Sequence, residues 1–324
     1  MDPIRDFDSD VEWMLDACVK RLAAYPPSLR RPGRVYLDKQ WSVEEKRDHG
    51  FSIAHLLPFW LQETCNLDRH TCRLIALSNT FWLLYFFLQD EVMDAGPDEY
   101  RGHLLPLGNL FFLDAIAPYR SLLDSTSPFW THLEQYIAQW ADSVTWEREQ
   151  HWLEPREFEP GDLDRLAGKS APLKIPCAAM SLLAGRPELL GPLEEMIDNI
   201  LVVSQLMDDL RDWRQDLAQK RYTYFLMRVM ADRGLQPSST LTEAQVEKSL
   251  FVGAVLEEIY DLMALHGRRA LESIAAWRLP YLEAHIRVLN DECRQLRDGF
   301  RQERARWIQE QFAPLLLQTD PPGA

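Results

Sequence analysis

The sequence is poor in cysteine and in long apolar runs. Its five cysteines are scattered over 324 residues without a CxxC pair, which favours a reducing environment over a disulfide framework. The acidic N-terminus lacks the apolar core of a signal peptide. The strongest apolar run, residues 81–88, is too short to span a bilayer. We therefore expect a cytoplasmic protein with no transmembrane segment.

Basic residues are also scarce relative to acidic ones. The chain has 35 Lys and Arg against 50 Asp and Glu, a net charge of −15. Nucleic-acid backbones require clustered basic side chains, so we expect no nucleic-acid partner. An acidic protein can still bind an anionic ligand when divalent cations lie between the two.

Strand-like alternation is hard to find, and apolar residues recur with helical spacing. The expected fold is all-α, a single bundle over residues 1–324 with 1–40 as a candidate N-terminal capping segment. Prolines predict a broken segment at 101–122 and a kinked helix at 163–184. The other expected helices lie at residues 7–24, from the capping box at Ser42, and at 66–93, 127–153, 192–218, 221–234, 241–265 and 267–314. The helix at 241–265 is expected to open at a capping box of Thr240 and Glu243.

The first cluster of carboxylates lies at the end of an aromatic helix. Asp90 and Asp94 are four residues apart, so their side chains share one helix face, and Glu91 lies at its edge. Such a group can chelate a metal ion. The alternative is an ordinary polar helix end, although carboxylates at a helix C-terminus oppose the helix dipole.

The second cluster follows an apolar stretch at 200–203. It consists of four aspartates: Asp208, Asp209, Asp212 and Asp216. Carboxylates this close repel one another unless a metal cation or arginines compensate. The alternative is a solvated face neutralised by Arg211 and Arg214, but the preceding apolar run favours a metal site.

Residues one or two turns before each cluster are candidate pocket residues. They are Leu83, Phe86 and Phe87 before the first cluster, and Ser204 and Gln205 before the second. Aromatic faces there would stabilise a cation. Packing in the core is an equally good interpretation for any one of them.

The two clusters together resemble motifs of class I isoprenoid synthases. The segment Asp208-Asp209-x-x-Asp212, preceded by Gln205, is similar to the second aspartate-rich motif of trans-prenyl diphosphate synthases. Residues 90–94 are similar to the first aspartate-rich motif of these enzymes and of class I terpene cyclases. The order and spacing of the motifs are more specific than either motif alone.

Two further segments resemble the same superfamily. The string at 210–216, followed by Arg221 and Tyr222, is similar to a stretch of phytoene and squalene synthases. The segment 168–171, which contains Lys169, looks like the lysine-containing helix that prenyl diphosphate synthases carry before their second motif.

The resemblance implies the class I isoprenoid synthase fold, an antiparallel helical bundle with a central cavity. It implies that several Mg²⁺ ions are bound by Asp90, Glu91, Asp94, Asp208, Asp209, Asp212 and Asp216. Of these, Asp90, Asp94, Asp208 and Asp212 are the expected catalytic carboxylates, together with the rings of Phe86 and Phe87. Lys169, Arg221 and Tyr222 are expected to meet the diphosphate of a prenyl diphosphate substrate, with Gln205, Ser204 and Leu83 lining its pocket. The metal charge would stabilise the departing diphosphate.

We expect a terpene cyclase that ionises one allylic diphosphate and cyclises the carbocation. The sequence lacks the N-terminal Gly-Lys-x-x-Arg site of chain-elongating enzymes, and it also lacks the Asn-Asp-x-x-Ser-x-x-x-Glu motif of the commonest bacterial and fungal cyclases. The alternative is a prenyltransferase that joins two prenyl diphosphates head-to-tail, or head-to-head as phytoene and squalene synthases do. A homodimer is a candidate assembly.

Two other classes fit less well. A di-iron bundle needs Glu-x-x-His pairs, and none of the eight histidines has a glutamate three residues before it. A noncatalytic scaffold would have no need of intact aspartates at both clusters.

Overall fold

The structure is a computed structural model that describes residues 2–40, 52–95, 100–150, 156–159, 161–237 and 239–316. Its α-helices, in chain order, are α1 (Asp8–Ala23), α2 (Pro27–Gln40), α3 (Ser52–Trp60), α4 (Gln62–Cys65), α5 (Arg69–Met93), α6 (Leu105–Leu122), α7 (Phe129–Arg148), α8 (Asp162–Ala167), α9 (Ile175–Leu183), α10 (Leu190–Ala218), α11 (Tyr224–Asp232), α12 (Glu243–Val252), α13 (Val255–Ile274) and α14 (Pro280–Leu316). Within the described ranges there is no strand, which confirms the predicted all-α class.

The chain forms two compact units, each built from three segments. Unit 1 contains Met1–Trp140, Ser170–Ile197 and Ser273–His285, and unit 2 contains Ala141–Lys169, Asp198–Glu272 and Ile286–Ala324. The expectation of one domain over 1–324 stays a prediction. Residues 2–40, expected as a capping segment, form α1 and α2 of unit 1.

Helix α5 is the centre of unit 1. Asp68 caps its start by accepting a hydrogen bond from the Thr71 N–H at 3.0 Å. The helix packs against α1, α3, α6 and α9, and it buries Phe81 and Trp82 completely. Burial of each such ring stabilises the fold by roughly 1.5–3 kcal/mol.

The composition of α5 also meets the criteria for a membrane-spanning helix. It is the one described helix that is long and apolar enough to cross a bilayer, yet 61% of its most apolar window is buried inside the protein. A core helix of a water-soluble protein passes the same test, so the helix is weak evidence for a membrane span.

The core of unit 2 is built on one face of α10. Leu206, Leu210 and Trp213 of this helix are buried together with residues of α11, α12 and α13. Leu, Met, Gln and Arg have high helix propensity and fill much of α10, and its apolar positions recur every three or four residues. The opposite face is therefore left to charged side chains.

Several predicted helix boundaries were wrong. The segment with Pro106 and Pro118 is one continuous helix, α6. Pro106 lies in its first turn, where the missing N–H costs nothing, and Pro118 lies inside the helix near its C-terminal end. The C-terminal part divides into α12, α13 and α14 rather than two long helices. The expected kink at 163–184 is present as a break, in which a 3₁₀ segment, Gly168–Lys174, separates α8 from α9. The capping box expected at Ser42 lies outside the described residues.

Candidate functional site

The four aspartates of the second cluster lie on two sides of α10. Asp208 and Asp212 are exposed, whereas Asp209 and Asp216 are buried, with 2% and 6% of their surface accessible. The pKa of Asp208 is raised, first by partial desolvation and then by the charge of Asp212, although its side chain keeps contact with solvent. The four aspartates therefore extend from the solvent-exposed face of α10 to the edge of the unit 2 core.

The carboxylate of Asp209 connects α10 to the start of α11. It accepts hydrogen bonds from Gln205 Nε2 at 2.9 Å and from the Phe225 N–H at 3.3 Å. The N-cap residue of α11, Thr223, makes no side-chain capping bond, so Asp209 satisfies one of the free N–H groups of the first turn. Desolvation nevertheless raises the pKa of Asp209 to about 7.

Asp216 lies beside Arg221, where the chain reverses after α10. Lys220 adopts a left-handed conformation with φ of 58°, and the Arg221 N–H donates to the Asp216 carbonyl at 2.8 Å. This turn returns the Arg221 guanidinium to within 3.7 Å of the Asp216 carboxylate. Desolvation raises the pKa of Asp216 to about 6, which Arg221 partly offsets.

Lys169 is held beside these aspartates by Glu147, a residue that the sequence motifs did not indicate. Lys169 Nζ lies 2.7 Å from Glu147 Oε1. The charge of Lys169 lowers the pKa values of Asp208 and Asp209, and the charge of Glu147 raises that of Asp216. All of these residues lie in unit 2, so the predicted lysine and the second cluster belong to one electrostatic group.

The arginines within the second motif are directed elsewhere. Arg214 pairs with Glu243 at 2.9 Å and with Glu247 at 3.1 Å. Arg211 Nη2 lies 4.0 Å from Glu292, although its charge also lowers the pKa of Asp208. Arg214 is therefore engaged away from the aspartates, whereas Arg211 still offsets part of the charge of Asp208, and the alternative of a solvated face stays open.

The group has an excess of negative charge. Its carboxyl groups are Glu147, Asp208, Asp209, Asp212 and Asp216, and its basic side chains are Lys169 and Arg221, with Arg211 at the edge. Hard divalent cations prefer oxygen donors, and a bound cation would offset the repulsion among these carboxylates, which adds to desolvation in raising the pKa values of Asp208 and Asp216. In the part of the chain that the structure describes, however, no group of three or more His, Cys, Asp or Glu side chains is placed so that it could hold a metal ion by itself. An open row of carboxylates fits Mg²⁺, which takes most of its ligands from water and phosphate.

The first cluster lies in unit 1. Asp90 is in the last turn of α5, and Asp94 is its exposed C-cap residue. Glu91 forms ion pairs with Lys39 at 2.9 Å and with Arg101 at 2.7 Å. These two cations were not expected from the sequence, since Lys39 is distant in the chain and neither belongs to a recognised motif.

The candidate pocket residues of α5 occupy different environments. Phe86 is 7% exposed, stacks on Trp82 at 5.5 Å between centroids and lies 4.7 Å from the Trp140 ring. Its surroundings are those of a core residue. Phe87 and Leu83 are only partly buried.

On the second motif, Ser204, Gln205 and Tyr222 are also partly buried. Gln205 is engaged with Asp209, as described above. Tyr222 packs against the unit 2 core. The two clusters lie in different units, so their convergence on one ligand stays a prediction, as do the individual roles of the residues in both clusters.

The fold places this chain among known architectures. It is the class I isoprenoid synthase fold, which confirms what the motifs implied. No protein-family model and no curated protein matches the sequence. Similarity is found instead among solved structures, at low sequence identity.

Two polyprenyl synthases illustrate this similarity. One is a polyprenyl synthase from Caulobacter crescentus CB15, whose crystal structure is of a complex with calcium and isoprenyl diphosphate. It matches with a TM-score of 0.70 and 15% identity over 90% of this chain and 96% of its own. The other is heptaprenyl diphosphate synthase from Staphylococcus aureus, with a TM-score of 0.68 and 12% identity over 89% of this chain and 97% of its own.

Proposed function

We propose that this chain is a metal-dependent isoprenoid synthase of the prenyltransferase type. It would ionise an allylic prenyl diphosphate and join the resulting cation to a second prenyl unit. The observation that carries the proposal is the fold, which polyprenyl synthases share over about nine tenths of the chain. This observation favours the transferase over the cyclase that we expected from the sequence.

The acidic group of unit 2 supplies the proposed chemistry. Asp208, Asp212 and Asp216 would hold Mg²⁺, whose charge stabilises the departing diphosphate. Lys169 is oriented by Glu147 and would contact the diphosphate directly. Because isolated carboxylates repel a diphosphate, we expect no substrate binding by this group without divalent cations.

Other residues complete the proposal. Arg221, fixed beside Asp216, would bind the diphosphate from the end of α10, with Tyr222 next to it. Asp90 and Asp94 are proposed as further metal ligands from unit 1. The prenyl chain is proposed to lie against Leu83, Phe87, Ser204 and Gln205.

The proposed location is the cytoplasm, in keeping with five free, buried cysteines.

Cyclisation of one substrate is the second candidate. It is favoured by the missing N-terminal Gly-Lys-x-x-Arg site, which binds isopentenyl diphosphate in the chain-elongating enzymes that the motifs resemble. Head-to-head condensation is supported only by the string at 210–216 with Arg221.

One set of incubations distinguishes these activities. Purified protein is given geranyl, farnesyl or geranylgeranyl diphosphate, each with and without isopentenyl diphosphate, in Mg²⁺, in Ca²⁺ and in metal-free buffer, and products are identified by mass spectrometry. A transferase forms a longer prenyl diphosphate only when isopentenyl diphosphate is present. A head-to-head enzyme joins two molecules of one substrate. A hydrocarbon of unchanged carbon number identifies a cyclase, and no metal-dependent product from any mixture would contradict the proposal.

A further inference from the structure

A second site lies in unit 2, between α13 and α14. It is a pocket of about 410 Å³ that shares no lining residue with the acidic group of α10. Its charged lining residues are Arg268, Arg287, Arg294, Arg297 and Asp291. Four arginines around one cavity contrast with the net charge of −15 on the whole chain.

Two of these arginines are neutralised by neighbouring acids. Arg297 lies 3.0 Å from Glu257 and 4.0 Å from Asp261. Arg294 pairs with Asp291 one turn earlier on α14. These two guanidinium groups therefore contribute little net charge to the pocket.

The charge of the other two arginines is not balanced by an acidic partner. Arg268 on α13 and Arg287 on α14 are exposed, and neither forms an ion pair with any residue that the structure describes. One cation thus extends from each wall of the pocket. Guanidinium groups placed in this way are suited to bind phosphate oxygens.

A buried hydroxyl group lines the same pocket. Tyr260 is 3% exposed, and its hydroxyl has no hydrogen-bond partner among the described residues. Burial raises its pKa above the usual range, so it remains a proton donor. The Nε of Arg297 is likewise buried without a partner. A buried donor left unpaired destabilises the fold, and an acceptor brought by a ligand would remove that cost.

We propose that this pocket binds the phosphate or diphosphate group of a small anionic ligand. Arg268 and Arg287 hold the charge, and the Tyr260 hydroxyl donates to a phosphate oxygen. The side chains of Ala264 and Leu271 give the pocket an apolar part that accepts a short hydrocarbon chain. Free diphosphate and the head group of a prenyl diphosphate share this chemistry.

The binding does not depend on the proposed function, because arginines bind phosphate without a metal ion. The experiment is isothermal titration calorimetry of the full-length protein in buffer freed of divalent cations, with inorganic diphosphate and geranyl diphosphate as separate probes. Removal of divalent cations prevents anion binding by the acidic group of α10. Equal affinity for both probes shows that the pocket recognises the phosphate groups alone. Tighter binding of geranyl diphosphate shows that the apolar part of the pocket also contacts the ligand.

The arginines are tested against a matched control. The double variant Arg268→Gln with Arg287→Gln should bind the probes about tenfold to a hundredfold more weakly. Arg306→Gln removes the same charge from an exposed position of α14 outside the pocket and should bind as the wild type does. Wild-type affinity in the double variant, or no binding of either probe by the wild type, would overturn the proposal.

Tyr260→Phe separates a ligand role from a structural one. The hydroxyl makes no bond within the described protein, so its removal should leave the melting temperature unchanged or slightly higher while it weakens probe binding. A variant with unchanged affinity would remove Tyr260 from the site. A lower melting temperature with unchanged affinity would assign it a purely structural role.

Discussion

Lys169 Nζ lies 2.7 Å from Glu147 Oε1, and this ion pair joins residues that are 22 positions apart in the chain. The lysine is thereby held near Asp208 and Asp209. Desolvation raises the pKa values of both carboxyl groups, and the charge of Lys169 offsets a part of that rise. We interpret the pair as one that presents a cation to a metal-bound diphosphate.

Lys169→Gln is expected to raise the KM for a prenyl diphosphate about tenfold or more, because a charge-assisted contact to the diphosphate is lost. Glu147→Gln should have a smaller effect, since the cation remains but its position is less restricted. Steady-state kinetics measure both. Lys248→Gln, at an exposed site of α12, is the control. A KM for Lys169→Gln equal to that of the control would exclude diphosphate contact by Lys169.

Asp208→Asn and Asp90→Asn are each expected to lower turnover by orders of magnitude while the helical circular-dichroism signal is retained. The reason is loss of a proposed metal ligand at a position where each side chain is accessible to solvent. The exposed Asp298→Asn should retain wild-type turnover. Wild-type rates for either of the first two variants would remove that residue from the metal site.

The pH dependence of stability should depend on Asp209. Its pKa rises from 3.8 in the unfolded chain to about 7 in the metal-free folded protein, chiefly by desolvation. The folded state therefore binds the proton more tightly, and this residue makes stability fall as the pH rises from about 4 to about 7, with no further loss above that. The total effect is on the order of 4 kcal/mol.

Asp209→Asn is neutral at every pH and should flatten that slope. The measurement is thermal unfolding in metal-free buffer between pH 5 and pH 8, with Asp298→Asn as a variant that keeps the wild-type slope. Parallel curves for the wild type and Asp209→Asn would show that Asp209 does not titrate in this range.

Glu91 is expected to matter less for activity than its neighbour Asp90. Its carboxylate is already paired with Lys39 and Arg101, so Glu91→Gln should lower the free energy of unfolding by about 1 kcal/mol and turnover by less than tenfold. Denaturant unfolding and kinetics test the two effects. A loss of turnover as large as that in Asp90→Asn would instead identify Glu91 as a metal ligand.

Much of the helical frame could be predicted from the sequence. The apolar spacing of α10 predicted residues 192–218, and the observed helix is Leu190–Ala218. The predicted end of α5 at residue 93 was also correct. Predicted helix boundaries were wrong where more than one nearby residue could cap the same helix. A capping box was expected at Thr240, but Thr242 caps α12, because Gln245 is the residue that can return a bond to it.

The candidate site was predictable only where its residues lie in one motif. The spacing of the four aspartates on α10 is visible in the sequence, and so is Lys169. Glu147 could not be found, since no local pattern connects it to the lysine. The buried position of Phe86 depends on Trp140, which is more than 50 residues away, and no periodicity within α5 indicates that contact.

The left-handed conformation of Lys220 has a consequence for any redesign of the end of α10. The left-handed torsion of Lys220 and the bond from the Arg221 N–H to the Asp216 carbonyl together form the turn that places Arg221 beside Asp216. Glycine there would adopt the same torsion more easily, whereas a β-branched residue would resist it and swing the guanidinium away from the carboxylate. The backbone conformation of Lys220 thus influences the distance between the Arg221 guanidinium and the Asp216 carboxylate.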